Sequence, residues 1–192
     1  MKLSLTTISL GIRKFEILAE LYIELEDWDK VKDEVLRNNL FNLTSKSSTV
    51  RQCREIRQRI QALHSETLED FMVLGTDERK FIAFIAICKT YPFVFEFTVQ
   101  VLAEKLVIYD YQVKEVDFTS FWNEKTMDHP ELDKITESTQ KKIKQVLIRT
   151  LAEVGLLDST SSQRITPFFP MTGLDEVFNR EGKKYRKILL TA

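Results

Sequence analysis

Turn-forming residues are scarce in this chain, whose 192 residues include only five glycines and four prolines. A β-sandwich needs many tight turns, and glycine and proline form a large share of such turns. The chain is also 43% hydrophobic, which is ample for a packed core. These properties argue against an all-β fold and favour one that is built mainly from helices.

Apolar residues recur in steps of three and four along most of the sequence, which is helical spacing. Helices are predicted over residues 11–26, 28–38, 47–63, 65–74, 76–89, 93–106, 117–125 and 138–154. Two short runs near the C-terminus, 163–169 and 185–190, predict strands instead. The expected fold class is therefore mainly α: a compact helical protein with helix-turn-helix-like elements and a short C-terminal β-hairpin or wing.

The pattern divides the chain into two predicted subdomains. The first, residues 1–75, is helical and contains a helix-turn-helix-like basic helix at 47–63. We expect a Ser47 or Ser48 cap at its start. The second, residues 76–192, is helical with a winged-helix-like ending, and Ser138 is the expected cap of its basic helix.

Neither a membrane span nor a secretory signal is expected. The most apolar run, residues 81–88, is far shorter than the roughly 20 residues that cross a bilayer, and Lys80 and Lys89 flank it. The N-terminus lacks a long apolar stretch followed by small residues. We therefore expect a cytoplasmic protein that does not contact a membrane.

Positive charge is concentrated in three segments, although the formal net charge is −1. Each segment carries a surplus of about +4, so the remainder must sum to about −13. The first has Lys46, Arg51, Arg54, Arg57 and Arg59 against Glu55. The second has Lys141, Lys142, Lys144 and Arg149, and the third has Lys183, Lys184, Arg186 and Lys187.

The first basic segment suits a nucleic-acid groove. Arg51, Arg54 and Gln58 share one face of the predicted helix, because steps of three and four residues stack side chains. Arginine and glutamine can make paired contacts with base edges, and neighbouring basic side chains would hold phosphates. A solvated helix face accounts for the same charges without a ligand. The DNA contacts predicted here are Lys46, Arg51, Arg54, Arg57, Gln58 and Arg59.

The other two basic segments give a weaker indication. Lysines in the first turns of a helix oppose its dipole, and a partner's phosphate would offset that cost. Charges on the predicted final strand could grip a DNA backbone or merely protect a sheet edge. The DNA contacts predicted here are Lys141, Lys142, Lys144, Arg149, Lys183 and Lys184.

Catalysis finds little support in the sequence. His64 and His129 are the only histidines, and they show no metal-ligand spacing. There is no glycine-rich phosphate loop and no GxSxG motif. Cys53 and Cys88 are expected to be buried or partly buried free thiols. We therefore predict no enzyme, no catalytic residue, no cofactor and no metal.

Two blocks of sequence, residues 39–60 and 138–157, resemble the BrxA family of BREX phage-defence systems, and their order and spacing extend the resemblance over most of the chain. In the first, an Asn-apolar pair and a Ser/Thr-rich turn precede a basic helix, with matches at Arg51, Ile56, Arg57, Arg59 and Ile60. In the second, the matches are Ser138, Thr139, Lys142, Arg149, Leu151, Glu153, Gly155 and Leu157. The resemblance implies a small, mostly helical, non-enzymatic DNA-binding protein that works beside a methyltransferase, an ATPase and other defence components.

Other functions fit the same charges. One alternative is a protein–protein adaptor that docks on an acidic partner, such as the defence ATPase, without nucleic acid. Another is RNA binding, since a basic helical surface does not choose between duplexes, although few aromatics accompany the basic residues for stacking on single strands. The sequence leaves open the oligomeric state, the DNA site and whether the two basic helices form one surface.

Overall fold

The computed structural model describes residues 5–166 and 172–190. Its α-helices are α1 (Ile12–Leu25), α2 (Trp28–Arg37), α3 (Lys46–Ile60), α4 (Ser65–Val73), α5 (Thr76–Thr90), α6 (Pro92–Phe97), α7 (Glu104–Val107), α8 (Glu115–Asp128), α9 (Glu137–Val154) and α10 (Asp175–Glu181). A π-helical segment, Thr98–Ala103, joins α6 to α7. Short 3₁₀ helices lie at Pro130–Lys134, Thr172–Leu174 and Lys183–Leu189. The prediction of a mainly helical fold is confirmed.

Helix α5 is the centre of the core. Every residue from Phe81 to Cys88 is at most 2% exposed. The helix packs against α1, α3, α4, α6 and α9, which explains why it is apolar on all sides rather than on one stripe. The predicted boundary after residue 75 remains a prediction, and α5 contacts helices on both sides of it.

The chain bends sharply after α5. Proline disfavours helical backbone in the residue before it, and Tyr91 is extended, with φ −129° and ψ 87°. Among the described helices, none alone has the length and apolar character to cross a bilayer. Helix α5 and the continuous helix from Pro92 to Val107 meet that criterion only as a pair, and the bend between them is 115°.

Helices α1, α2 and α3 pack against one another and on α5 through α1 and α3. The connection between α2 and α3 runs from Asn38 to Ser45, which is longer than the 3–4-residue turn typical of a helix-turn-helix motif. Basic helix α3 is therefore the last member of a three-helix unit that is anchored in the core.

The caps of the two basic helices lie earlier than predicted. Ser45 caps α3, where its Oγ accepts a hydrogen bond from the Ser48 amide at 3.4 Å. Thr136 caps α9 by accepting from the Thr139 amide at 3.3 Å. Both starts lie in runs of Ser and Thr, any of which can cap, so composition alone could not choose among them. Gly155 follows residue 154, where the helix was predicted to end, and it caps α9 in the left-handed conformation with φ 91°.

The predicted C-terminal β-hairpin or wing is wrong. Within residues 5–166 and 172–190 the β contacts are the isolated bridges Gln112–Arg164 and Leu157–Ile165, and no strand is formed. The predicted strand at 185–190 is instead mostly 3₁₀ helix. Its residues are β-prone in composition, but the buried ones within the 3₁₀ helix are Tyr185, Ile188 and Leu189, whose spacing suits a helical turn, and Leu190 just after the helix is buried as well. Residues 167–169 of the other predicted strand lie outside the described residues.

Candidate nucleic-acid interface

Helix α3 presents basic side chains to solvent: Arg51 and Arg54 share one face, and Lys46 lies in the first turn beside a different hollow. Lys46, Arg51 and Arg54 are exposed, and Arg51 makes only one long polar contact, 3.5 Å from Nη2 to the Ser48 Oγ. Gln58 is half-buried on the same face. These groups therefore retain hydrogen-bond donors that nothing in the described parts of the chain satisfies.

Arg57 is held at the edge of this face by aromatic contacts. Its guanidinium carbon lies 5.4 Å from the centre of the Trp28 ring. That ring stacks on Tyr22 at a centroid distance of 4.1 Å, so α1 and α2 together support it. A guanidinium over an indole keeps its charge and its outward donors. We call Lys46, Arg51, Arg54, Arg57 and Gln58 the α3 basic face.

Arg59 differs from the other predicted contacts because it is only 1% exposed. Its Nε donates to Glu55 Oε1 at 3.0 Å, and the same oxygen accepts from the Tyr91 hydroxyl at 2.5 Å. Burial lowers the pKa of Arg59, while the nearby Glu55 carboxylate acts in the opposite direction. An arginine pKa starts so high that the side chain remains charged.

The rest of the Arg59 guanidinium binds the segment that precedes α1. Nη1 donates to the Ser9 carbonyl at 2.5 Å and to the Leu10 carbonyl at 3.3 Å, and Nη2 donates to the Ile8 carbonyl at 2.8 Å. Arg59 thus stabilises the fold and is not available to a phosphate. We therefore exclude it from the basic face. Because Arg59 and Glu55 form a neutral pair, the surplus of about +4 stays on the exposed side.

Helix α9 offers fewer free charges than its sequence indicates. Lys141 pairs with Glu137 at 2.6 Å, and Lys144 pairs with Glu115 of α8. Burial lowers the pKa of Lys144. Lys142 and Arg149 are exposed without a partner among the described residues, and we call them the α9 basic face. The surplus of this helix therefore falls from about +4 to about +2.

One short segment, residues 6–10, contacts both basic helices. Thr6 and Thr7 line a shallow hollow together with Arg51, Arg54 and Gln58 of α3. Two residues later, Ser9 donates its hydroxyl to Glu153 Oε1 at 2.9 Å.

The contact with α9 continues through the backbone, because the Leu10 amide donates to the other oxygen of Glu153 at 2.8 Å. Arg149 lies one turn before Glu153 on α9, about 6 Å along the axis. Residues 6–10 thus touch α3 on one side and α9 on the other. Sequence patterns do not reveal the role of this segment, because its contacts use backbone groups and small hydroxyls.

The C-terminal basic residues lie on a 3₁₀ helix. Lys183 and Lys184 are exposed. The Lys184 ammonium lies 5.1 Å from the centre of the Tyr185 ring and 5.9 Å from that of Phe95. No contact in the described parts of the chain joins these lysines to either basic face.

Comparison with known proteins identifies the family. The model of the family described as BrxA matches residues 2–182 of the 192. The chain belongs to the BrxA family. The resemblance read from the sequence is therefore confirmed.

Two similar proteins are each named BREX protein BrxA. The one from Bacillus cereus (strain H3081.97) is 26% identical over 135 residues, which cover 70% of this chain and 68% of that protein. The one from Escherichia coli O9:H4 (strain HS) is 21% identical over 172 residues, which cover 90% and 81%.

A solved structure has the same fold. The crystal structure of an uncharacterized protein from Magnetospirillum magneticum superposes with a TM-score of 0.84 and covers 99% of this chain and 98% of its own. At 16% identity this BrxA-family chain shares the fold with it, and nothing about function follows.

Proposed function

We propose that this protein is a non-enzymatic, double-stranded DNA-binding component of a BREX-type phage-defence system. The observation that carries the proposal is the α3 basic face, whose charged side chains are all positive. The only acid on α3 is Glu55, and it is buried against Arg59. Lys46, Arg51 and Arg54 are exposed and form no ion pair among the described residues, whereas Arg57 is half-buried and interacts electrostatically with Asp27. Exposed, unpaired cations attract the phosphate backbone, which supplies much of the affinity of DNA-binding proteins.

The chemistry of the α3 basic face favours contact with a duplex. Arg51, Arg54 and Gln58 project from one side of a rigid helix, and Arg57 is steadied by Trp28. Arginine donates several hydrogen bonds in a plane that matches phosphate oxygens, so its contacts suit sequence-tolerant binding. Helix α3 also follows two packed helices, as the recognition helix of a helix-turn-helix motif does, although its connecting turn is longer.

We also propose that α3 and α9 form one DNA-binding surface. The support is residues 6–10, which bind Arg59 of α3 and Glu153 of α9, and whose Thr6 and Thr7 line the same hollow as Arg51 and Arg54. Lys142 and Arg149 extend the surface along α9. A cytoplasmic location and association with other BREX proteins, such as a methyltransferase or an ATPase, are part of the proposal and rest on family membership.

Charge reversal on each basic face tests the proposal. Binding of a fluorescein-labelled 30-base-pair duplex would be followed by fluorescence anisotropy for the wild type, Arg51→Glu/Arg54→Glu and Lys142→Glu/Arg149→Glu. The α3 variant should bind at least tenfold more weakly, and the α9 variant should lose less because it has fewer free cations.

The matched control is Lys134→Glu/Lys187→Glu, which makes the same change in net charge at two exposed lysines on 3₁₀ segments. It should bind almost as well as the wild type. Equal loss in all three variants would mean that only net charge matters, and the α3 site would be wrong. If an RNA duplex of the same sequence binds more tightly than the DNA duplex, the proposed ligand is RNA and not DNA. No duplex binding at low salt would favour the adaptor.

A further inference from the structure

A second feature of the molecule lies away from both basic faces, between the helix that runs from α6 to α7 and helix α8. It is an open groove of about 700 Å³. Gln100 and Val101 of the π-helical segment and Phe121 of α8 line it, and the acidic side chains along it include Glu104 and Glu124. We call this the acidic groove. A π-helical turn inside an α-helix is rare and often marks a functional site.

Apolar side chains at one end of the groove are unusually exposed. Val107, Ile108 and Tyr109 are 75%, 70% and 80% exposed, and Ile108 lines the groove itself. Three consecutive large apolar side chains in water are costly, and such patches commonly mark interaction sites.

The backbone holds this apolar patch in a strained turn. Tyr109 has φ 58°, the left-handed region that bulky residues seldom adopt. The turn is fixed by hydrogen bonds from the Tyr109 amide to the Leu106 carbonyl at 3.1 Å and from the Asp110 amide to the Lys105 carbonyl at 2.9 Å. The patch is thus presented by a defined turn that ends α7.

The groove contains acceptors that the protein does not use. Lys105 is the cation of the groove, and its ammonium is already bonded to Asp110 at 2.7 Å and to Asp117 at 3.1 Å. Glu104 and Glu124 are exposed and have no partner among the described residues. The Gln100 Oε1 is buried and accepts no hydrogen bond, although a buried acceptor is normally satisfied.

We propose that the acidic groove docks an arginine, flanked by apolar residues, from a partner protein. Arginine supplies only donors, five in a fixed plane, and so complements a site that supplies acceptors. Its methylenes can lie on Val101, while the flanking apolar residues cover the exposed patch at Ile108 and Tyr109. Charge complementarity selects a basic occupant, because four carboxylates face the groove against one lysine.

Peptide binding to the full chain tests this docking site. The probe is a fluorescein-labelled peptide, Gly-Ser-Leu-Arg-Leu-Ser-Gly, and its partner replaces the arginine with citrulline, which has nearly the same shape but no charge. The arginine peptide should bind the wild type about tenfold more tightly than the citrulline peptide. The double variant Glu104→Gln/Glu124→Gln should abolish that preference. The matched control Glu20→Gln/Glu24→Gln removes two exposed carboxylates from α1 and should retain it.

The variant Tyr109→Gly separates docking from folding. Glycine adopts positive φ at little cost, so the variant should be at least as stable as the wild type in urea. It should nevertheless bind the arginine peptide more weakly, because part of the apolar patch is lost. Equal affinity for the two peptides, an unchanged preference in the Glu104/Glu124 variant, or no binding of the arginine peptide would each overturn the proposal. DNA binding should be unchanged in these variants.

Discussion

Replacement of Arg59 by methionine should destabilise the protein severely. In the folded state the guanidinium is 1% exposed and serves Glu55 and three carbonyl oxygens of the segment before α1. Methionine fills much of the volume but supplies no donor. The change would leave the Glu55 carboxylate buried, with the Tyr91 hydroxyl as its described donor.

The expected loss is about 4 kcal/mol of unfolding free energy, since removal of one partner from a buried ion pair typically costs about 3–5 kcal/mol. Urea denaturation followed by circular dichroism would measure it. At a slope of about 2 kcal/mol per M, the midpoint should fall by about 2 M. Arg54→Met, on the exposed side of the same helix, is the matched control and should change stability by no more than about 0.5 kcal/mol.

A double variant, Glu55→Leu/Arg59→Met, checks the cause of that loss. It removes both charges, so it should be more stable than Arg59→Met alone even though it changes one residue more. If Arg59→Met costs under about 1 kcal/mol, as expected for a solvated side chain, Arg59 is not buried as described. Arg59 would then be available to a phosphate and would belong to the basic face.

Three further predictions concern the fold. Gly155→Ala should lower the free energy of unfolding by about 1 kcal/mol in a urea melt, because the residue has φ 91°. A Cβ at this position would meet nothing within 4 Å, so the cost comes from the backbone conformation alone. An unchanged free energy of unfolding would contradict the left-handed C-cap. Burial raises the pKa of Cys53 to about 11 and that of Cys88 well above its usual value. Neither thiol should therefore react with iodoacetamide at neutral pH until the protein is unfolded. Rapid labelling of the native protein, detected by mass spectrometry, would contradict the burial of the two thiols. The hydrogen bond from Lys105 holds the pKa of Asp110 below its usual range. The ionised Asp110 carboxylate therefore stabilises the fold above its unfolded-state pKa, and this stabilisation is lost as the pH falls through the lower folded-state pKa. Lys105→Met should therefore lower the thermal midpoint more at about pH 6 than at about pH 2, and an equal loss at both would refute the pairing.

The helices were predictable because their apolar residues are periodic, and α9 shows this best. Ile143, Val146, Leu147, Leu151 and Val154 recur in steps of three and four, and all are buried. Gly155 could be identified as the end of the helix because few other residues adopt positive φ. The free thiols Cys53 and Cys88 are buried as expected.

Tertiary pairing could not be read from the same pattern. Arg59 matches the spacing of its exposed neighbours well enough to pass as a surface charge, and only its partners in a distant segment reveal its burial. Lys144 likewise looks free until α8 brings Glu115 to it. An acidic residue four positions away on a helix, as Glu55 is from Arg59, indicates that a basic side chain has a partner. Whether the pair is buried depends on tertiary packing.

The prediction of a C-terminal wing was wrong for a related reason. The run at 185–190 has strand-like composition, but strand pairing requires a neighbouring edge, and this segment packs instead on α10 and the π-helical segment. Its buried residues then follow helical spacing. Composition outweighed periodicity in the prediction, and periodicity was the better guide.

The salt dependence of duplex binding tests the central claim most directly. If Arg51 and Arg54 bind phosphates, the slope of log affinity against log salt should be steep for the wild type. In Arg51→Gln/Arg54→Gln it should be shallower by about 2, since each phosphate contact contributes about 0.9. The same slope in both proteins, or no duplex binding by the wild type at low salt, would contradict the assignment of α3 as the DNA-binding helix.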